Sequence, residues 1–186
     1  ATEGDTVDFG DMSEGRYSPQ PVSNSTRGVY MGGTNVYNSI SGTINNIEFI
    51  TIQSTGNSVD FGDMTTKTST GQGFSSPTRG ISAGGTNPSG GGRQNLIQFI
   101  TISSLGNTQE FGELIKNAAF SCANTASNSI RGLITVNNTA SSTYENTIQY
   151  VTIATMGDAQ DFGDLIRGSE WCCGMASPTR AVFHNP

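Results

Sequence analysis

Histidine and tryptophan occur once each in 186 residues, cysteine three times, and lysine and arginine together only nine times. The lone histidine, His184, sits two residues from the end. It cannot supply a Ser-His-Asp relay, nor the several imidazoles that a protein copper centre needs. Cys122, Cys172 and Cys173 form an odd set without metal-ligand spacing. They make no disulfide framework, the adjacent pair reads as two reduced thiols, and nothing in them requires an oxidising compartment. Charge is scarce as well, at 13% of residues with a net of −6, which speaks against a nucleic-acid backbone or an anionic membrane as the main partner. No apolar run approaches the length of a membrane span. Disorder pairs low hydrophobicity with high charge, and the charge is missing here. With 33% hydrophobic residues, 24 glycines and abundant Ser, Thr and Asn, the composition predicts a folded chain of many short elements and many turns.

What the sequence does contain is a repeat. VDFGDM at 7–12 returns as VDFGDM at 59–64, QEFGEL at 109–114 and QDFGDL at 160–165, in steps of 52, 50 and 51 residues from Phe9 to Phe61, Phe111 and Phe162. Asp-Phe-Gly is the magnesium-binding triplet of protein kinases, but a catalytic loop does not recur at a fixed period. The phosphate-covering glycine loop, the strand lysine and the catalytic loop that kinase chemistry needs are absent. The four phenylalanines are expected to pack between repeat units, with the glycine permitting a bend. NPSGGGRQ at 87–94 lacks the Gly-Lys-Ser/Thr ending of a phosphate loop and reads as a strand connection.

Two further segments recur with the box. Before it stands Ile47-x-Phe49-Ile50-Thr51-Ile52, then Ile97-x-Phe99-Ile100-Thr101-Ile102, then Ile148-x-Tyr150-Val151-Thr152-Ile153, closed by Gly56, Gly106 and Gly157. Short β-branched and aromatic runs ended by glycine predict strands. Because these are apolar on both faces, they must be covered on both sides. After the box come VSNSTRGVYMGGTN at 22–35, FSSPTRGISAGGTN at 74–87, ASNSIRGLITVNNT at 126–139 and MASPTRAVFHNP at 175–186. These predict two short strands around a tight turn, with Gly32-Gly33 and Gly84-Gly85 free to take positive φ and Asn137-Asn138 standing in for them in the third copy. Trp171 and Met175 fall at apolar positions of the pattern and are expected in the core.

Each unit of about fifty residues thus holds about four short strands, and one such sheet cannot bury both faces alone. The expected fold is all-β, a β-propeller or propeller segment in which four-stranded blades stack around an axis. The pattern resembles kelch-type repeats, whose fifty-residue unit carries a Gly-Gly after the second strand and an aromatic near the last. It departs from them in the missing third Gly-Gly and in Phe rather than Trp at the last strand. SPTRG, GG, the [IV]-x-[FY]-[IV]-T-I strand and the DFGD box together are similar to divergent kelch-like repeats of bacteriophage virion proteins, tail fibres and structural proteins. The resemblance covers one repeat domain over 1–186, with complete blades at about 16–64, 65–114 and 115–165. The terminal strands 1–15 and 166–186 would complete a further blade that lacks its Ile-x-Phe strand. A small ring with one defective blade, a ring shared between chains and a segment of a longer protein all remain open.

Candidate functional residues follow from the same alignment. One arginine per unit, Arg27, Arg79, Arg131 and Arg180, stands opposite the box acids Asp11, Asp63, Glu113 and Asp164. Guanidinium and carboxylate suit bidentate pairing, so one structural ion pair per blade is expected, in preference to calcium, for which paired acids supply too few oxygens. Loops of differing length at one edge bring Tyr37, Arg93 and Tyr144 into reach of a sugar ring. No metal, no cofactor and no enzymatic activity are expected. The resemblance implies a virion structural or host-attachment component whose partners are other virion proteins or copies of itself, and possible host-surface glycan. The alternative is a secreted or cell-surface carbohydrate-binding propeller.

Overall fold

The computed structural model describes residues 4–35, 42–87, 92–119, 126–136, 144–168 and 173–184. Among these residues every regular element is a strand, and every pairing between strands is antiparallel. The fold is therefore all-β. The first sheet runs in chain order through Gln20–Ser23, Arg27–Met31, Asn46–Thr51 and Val59–Asp63. The second repeats it with Gln72–Ser75, Arg79–Ala83, Gly92–Thr101 and Gln109–Ala118, plus the short Thr86–Asn87 on the edge of Gly92–Thr101. The third uses Ala126–Ser127, Arg131–Thr135, Thr147–Thr152 and Gln160–Asp164. A final hairpin, Cys173–Ala176 with Ala181–His184, supplies the first two strands of a fourth unit. Residues 7–12 form no strand, contrary to the expectation of a terminal one, because no neighbouring strand pairs with them.

Equivalent residues meet in each sheet. Val29 faces Phe49, Ile81 faces Phe99 and Leu133 faces Tyr150. This register also corrects the third glycine pair. Val136, whose amide bonds to Thr147 O, takes the place of Gly32, bonded to Asn46 O, and Gly84, bonded to Leu96 O. Gly32 and Gly84 have φ of 59° and 63°, whereas Val136 is a buried core residue without positive φ. Asn137 and Asn138 lie outside the described residues.

The box is a β-bulge. Ile47 pairs with Gly62 while its neighbour Glu48 pairs with Asp60, which leaves Phe61 as the extra residue, and the same slip recurs at Ile97/Gln98 and Ile148/Gln149. A bulge bends its strand and needs a residue tolerant of unusual backbone angles. Gly62 and Gly163 supply them, at φ of 144° and 140°.

The core lies between sheets. Ile100 and Ile102 of the second unit are buried in one cluster with Val22, Val29, Ile47 and Phe61 of the first. Val151 and Ile153 of the third unit enter the cluster of Phe74, Ile81, Ile97 and Phe111 of the second. The third strand of the second unit is thus covered on both faces, as its apolar sequence requires. Each first strand also meets the second strand of the next unit. A side chain at Gly80 would overlap Val22, and one at Gly132 would overlap Phe74. At the next junction the equivalent positions are Ala126 and Ala181, which share one apolar cluster. Bulk on one side is matched by its absence on the other. Met175, expected in the core, is exposed, since among the described residues no unit packs over the outer face of the final hairpin. Trp171, Cys122 and Cys172 lie outside the described residues.

Candidate functional site

The feature that organises the molecule is the joint between successive units, made in the same way three times. Phe9 O, Phe61 O and Phe111 O accept from the amides of Gly56, Gly106 and Gly157 in the turn of the following unit. The amides of Asp11, Asp63 and Glu113 donate to the side chains of Asn57, Asn107 and Asp158, at 2.9, 2.9 and 3.0 Å. The carbonyls of the same three acids accept from Ser58, Thr108 and Ala159. The acids therefore act through their main chain. Two residues further on, Ser13, Thr65 and Ile115 donate to the buried side chains of Glu48, Gln98 and Gln149. Buried polar groups left without partners are costly, so each joint tolerates few arrangements.

The arginines provide a second clasp, different from the expected ion pairs. Arg27 lies 4.6 Å from the ring centroid of Phe49 in its own sheet and donates to Ile102 O of the next unit at 2.8 Å. Arg79 lies 4.9 Å from the centroid of Phe99 and donates to Ile153 O and Ala154 O. Arg131 stacks on Tyr150 at 4.7 Å. Among the described residues none of Arg27, Arg79, Arg131 and Arg180 pairs with Asp11, Asp63, Glu113 or Asp164. The reason is geometric. A ring holds the guanidinium of Arg27, Arg79 and Arg131 over its own third strand by cation–π attraction, and for Arg27 and Arg79 carbonyls at the end of the next unit's third strand accept as well. Among the described residues no three histidine, cysteine or carboxylate side chains gather in one place.

A charged contact that the repeat pattern does not contain is the buried pair of Arg16 and Glu48, 3.1 Å apart. Arg16 also donates to Gly32 O and Asn46 O at 3.2 Å each, and Ser58 donates to Glu48 at 2.9 Å. The sequence signal was a glutamate where the other two copies carry glutamine. Of the expected ligand residues, Tyr37 lies outside the described residues. Arg93 is half-buried in the third strand of the second sheet, with its carbonyl taken by Asn117. Tyr144 is 59% exposed ahead of the third sheet's Thr147–Thr152 strand.

No protein-family model matches the chain, and no curated protein matches it. Among solved structures, one described as "Structure of YjhT" superposes with a TM-score of 0.72 at 10% sequence identity. The match covers 90% of this chain and 58% of that chain. Identity at this level speaks to the fold alone, and the chain spans little more than half of that neighbour's length.

Proposed function

We propose that this chain is an arc of a kelch-like β-propeller that serves as a non-enzymatic structural component of a virus particle, in a tail fibre or at the capsid surface, where it contributes to host attachment. The observation that carries the reading is the three-fold recurrence of one joint, with the DFGD box as bulge, amide donor and carbonyl acceptor in each. The residues with a catalytic appearance are thereby occupied in stacking units. The phage-type repeat pattern supports the particle, and the fold likeness over most of the chain supports a stacked-sheet architecture. Other particle proteins or further copies of this chain are the proposed partners, with surface glycan reached through the edge loops.

Carbohydrate binding by the isolated chain is the second reading, favoured by the exposed ring of Tyr144, since an aromatic face suits a sugar ring. Immunogold labelling of purified virus particles with an antibody to this chain tests the first reading. Labelled particles support it, and unlabelled particles in a preparation whose genomes encode the chain overturn it. A glycan array tests the second: binding lost on Tyr144→Ala supports a lectin, and no bound glycan overturns one.

A further inference from the structure

The buried charge pair of the first unit leaves hydrogen-bonding capacity unused. The Arg16 side chain is fully buried, and its Nη1 is occupied by Gly32 O and Asn46 O. Its Nη2 lies 3.1 Å from Glu48 Oε1, close enough for charge attraction, but its N–H bonds are not aimed at that oxygen. Neither Nη2 nor Nε has a hydrogen-bond partner among the protein groups. These two nitrogens share one edge of the planar guanidinium, so they present a pair of donors to a single point. Asn46 carries the complementary group. Its Nδ2 donates to Glu48 Oε1 at 3.3 Å, whereas its buried Oδ1 accepts from no protein donor. Two unused donors and one unused acceptor therefore border the same carboxylate oxygen.

The second unit solves the same place differently. By register Thr68 stands where Arg16 does, and its hydroxyl donates to Thr66 O and Gln94 Oε1. Leu96 replaces Asn46, and Gln98 replaces Glu48. None of Thr68, Leu96 and Gln98 holds a buried polar side-chain atom without a partner. The unused groups thus belong to the residues that set the first unit apart. Leaving one buried donor or acceptor unsatisfied forfeits its hydration without return, and a cluster of three points to a bound partner.

We propose that Arg16 and Asn46, beside Glu48, form a binding site for a single water molecule inside the first unit. The water oxygen accepts from Nε–H and Nη2–H of Arg16, and one of its hydrogens goes to Asn46 Oδ1. About three hydrogen bonds is the usual complement of a buried water. The donor set selects the ligand. An anion would take the guanidinium edge but would meet two acceptors, Asn46 Oδ1 and the Glu48 carboxylate, and a cation would meet the guanidinium charge. Water both donates and accepts. The chain itself closes the site: the hydroxyls of Ser13 and Ser58 donate to Glu48, and Arg16–Tyr17 is paired with Thr34–Asn35. The water therefore exchanges with solvent only when residues 13–17 lift, and its residence time reports that opening. The inference is independent of the virus reading.

Oxygen-17 magnetic relaxation dispersion, which counts long-lived internal waters, tests this on the whole chain. Asn46→Leu, which copies the second unit, and the joint replacement Arg16→Met with Glu48→Gln should each lower the count by one water. Thr68→Val, the matching change in the second unit, should leave it unchanged. An unaltered count in both first-unit variants, or the same loss in Thr68→Val, overturns the proposal. An atomic-resolution crystal structure of the unaltered chain decides it independently of how the variants fold. Density for one water within hydrogen-bonding reach of Arg16 Nε, Arg16 Nη2 and Asn46 Oδ1 is expected. No density there, or an anomalous peak at that point after soaking in bromide, overturns it.

Discussion

Ile52, Ile102 and Ile153 occupy the same place in three copies of one local sequence, yet Ile102 and Ile153 are fully buried and Ile52 is 43% exposed. The strand around each is paired alike on both sides. Only the neighbour differs: Ile102 and Ile153 meet the core face of the preceding unit, and among the described residues no such face lies beneath Ile52. In a repeat chain the local sequence specifies the unit, and burial is decided between units. The third sheet makes the same point from the other side, where Phe162 is exposed while Phe61 and Phe111, its counterparts, are buried.

Four pairs of substitutions would break or sharpen that contrast, each read by denaturant unfolding. The largest effect is expected at the joint that holds the buried Arg16–Glu48 pair. Arg16→Ala leaves Glu48 buried without its partner and should cost about 4 kcal/mol. Joint replacement by Arg16→Met and Glu48→Gln, which copies the glutamine of the other units, should recover most of the loss, and equal losses would show that the pair is not the source. Next, Ile102→Ala should cost about 3 kcal/mol by emptying a packed site, against less than about 1 kcal/mol for Ile52→Ala. Similar costs would mean that the first unit is covered in solution. Third, Gly112→Ala should exceed Gly163→Ala by about 2 kcal/mol, because both strain the backbone but only the first pushes on a neighbouring turn. Last, Arg79→Ala should cost about 1 kcal/mol more than Arg131→Ala, the difference being the carbonyls that only Arg79 reaches.

The unit was legible because its signals are local: strand composition, turn glycines and a box at a fixed period. The placement of the arginines was not. Their acceptors are main-chain carbonyls at Ile102, Ile153 and Ala154, which leave no mark in a sequence, while the box acids were visible and supplied the wrong partner. Val136 was passed over as the third copy of Gly32 for a related reason, since a buried valine and a left-handed glycine share a ladder position without sharing chemistry. The buried Glu48 showed only as one acid among two glutamines, and Arg16 lies in the two-residue strand Arg16–Tyr17, paired with Thr34–Asn35, which the sequence pattern did not mark.

The matched sizes at the first strands carry a consequence for assembly of the fold. Units this similar could dock in the wrong order while the chain is still collapsing, a recognised failure of repetitive proteins. Phe74 against Gly132, Val22 against Gly80 and Ala126 against Ala181 give each junction its own volume. Phe74 brought against Ala181 would crowd, and Ala126 brought against Gly80 would leave a void. The side-chain sizes thus act as an address system that numbers the units along the chain.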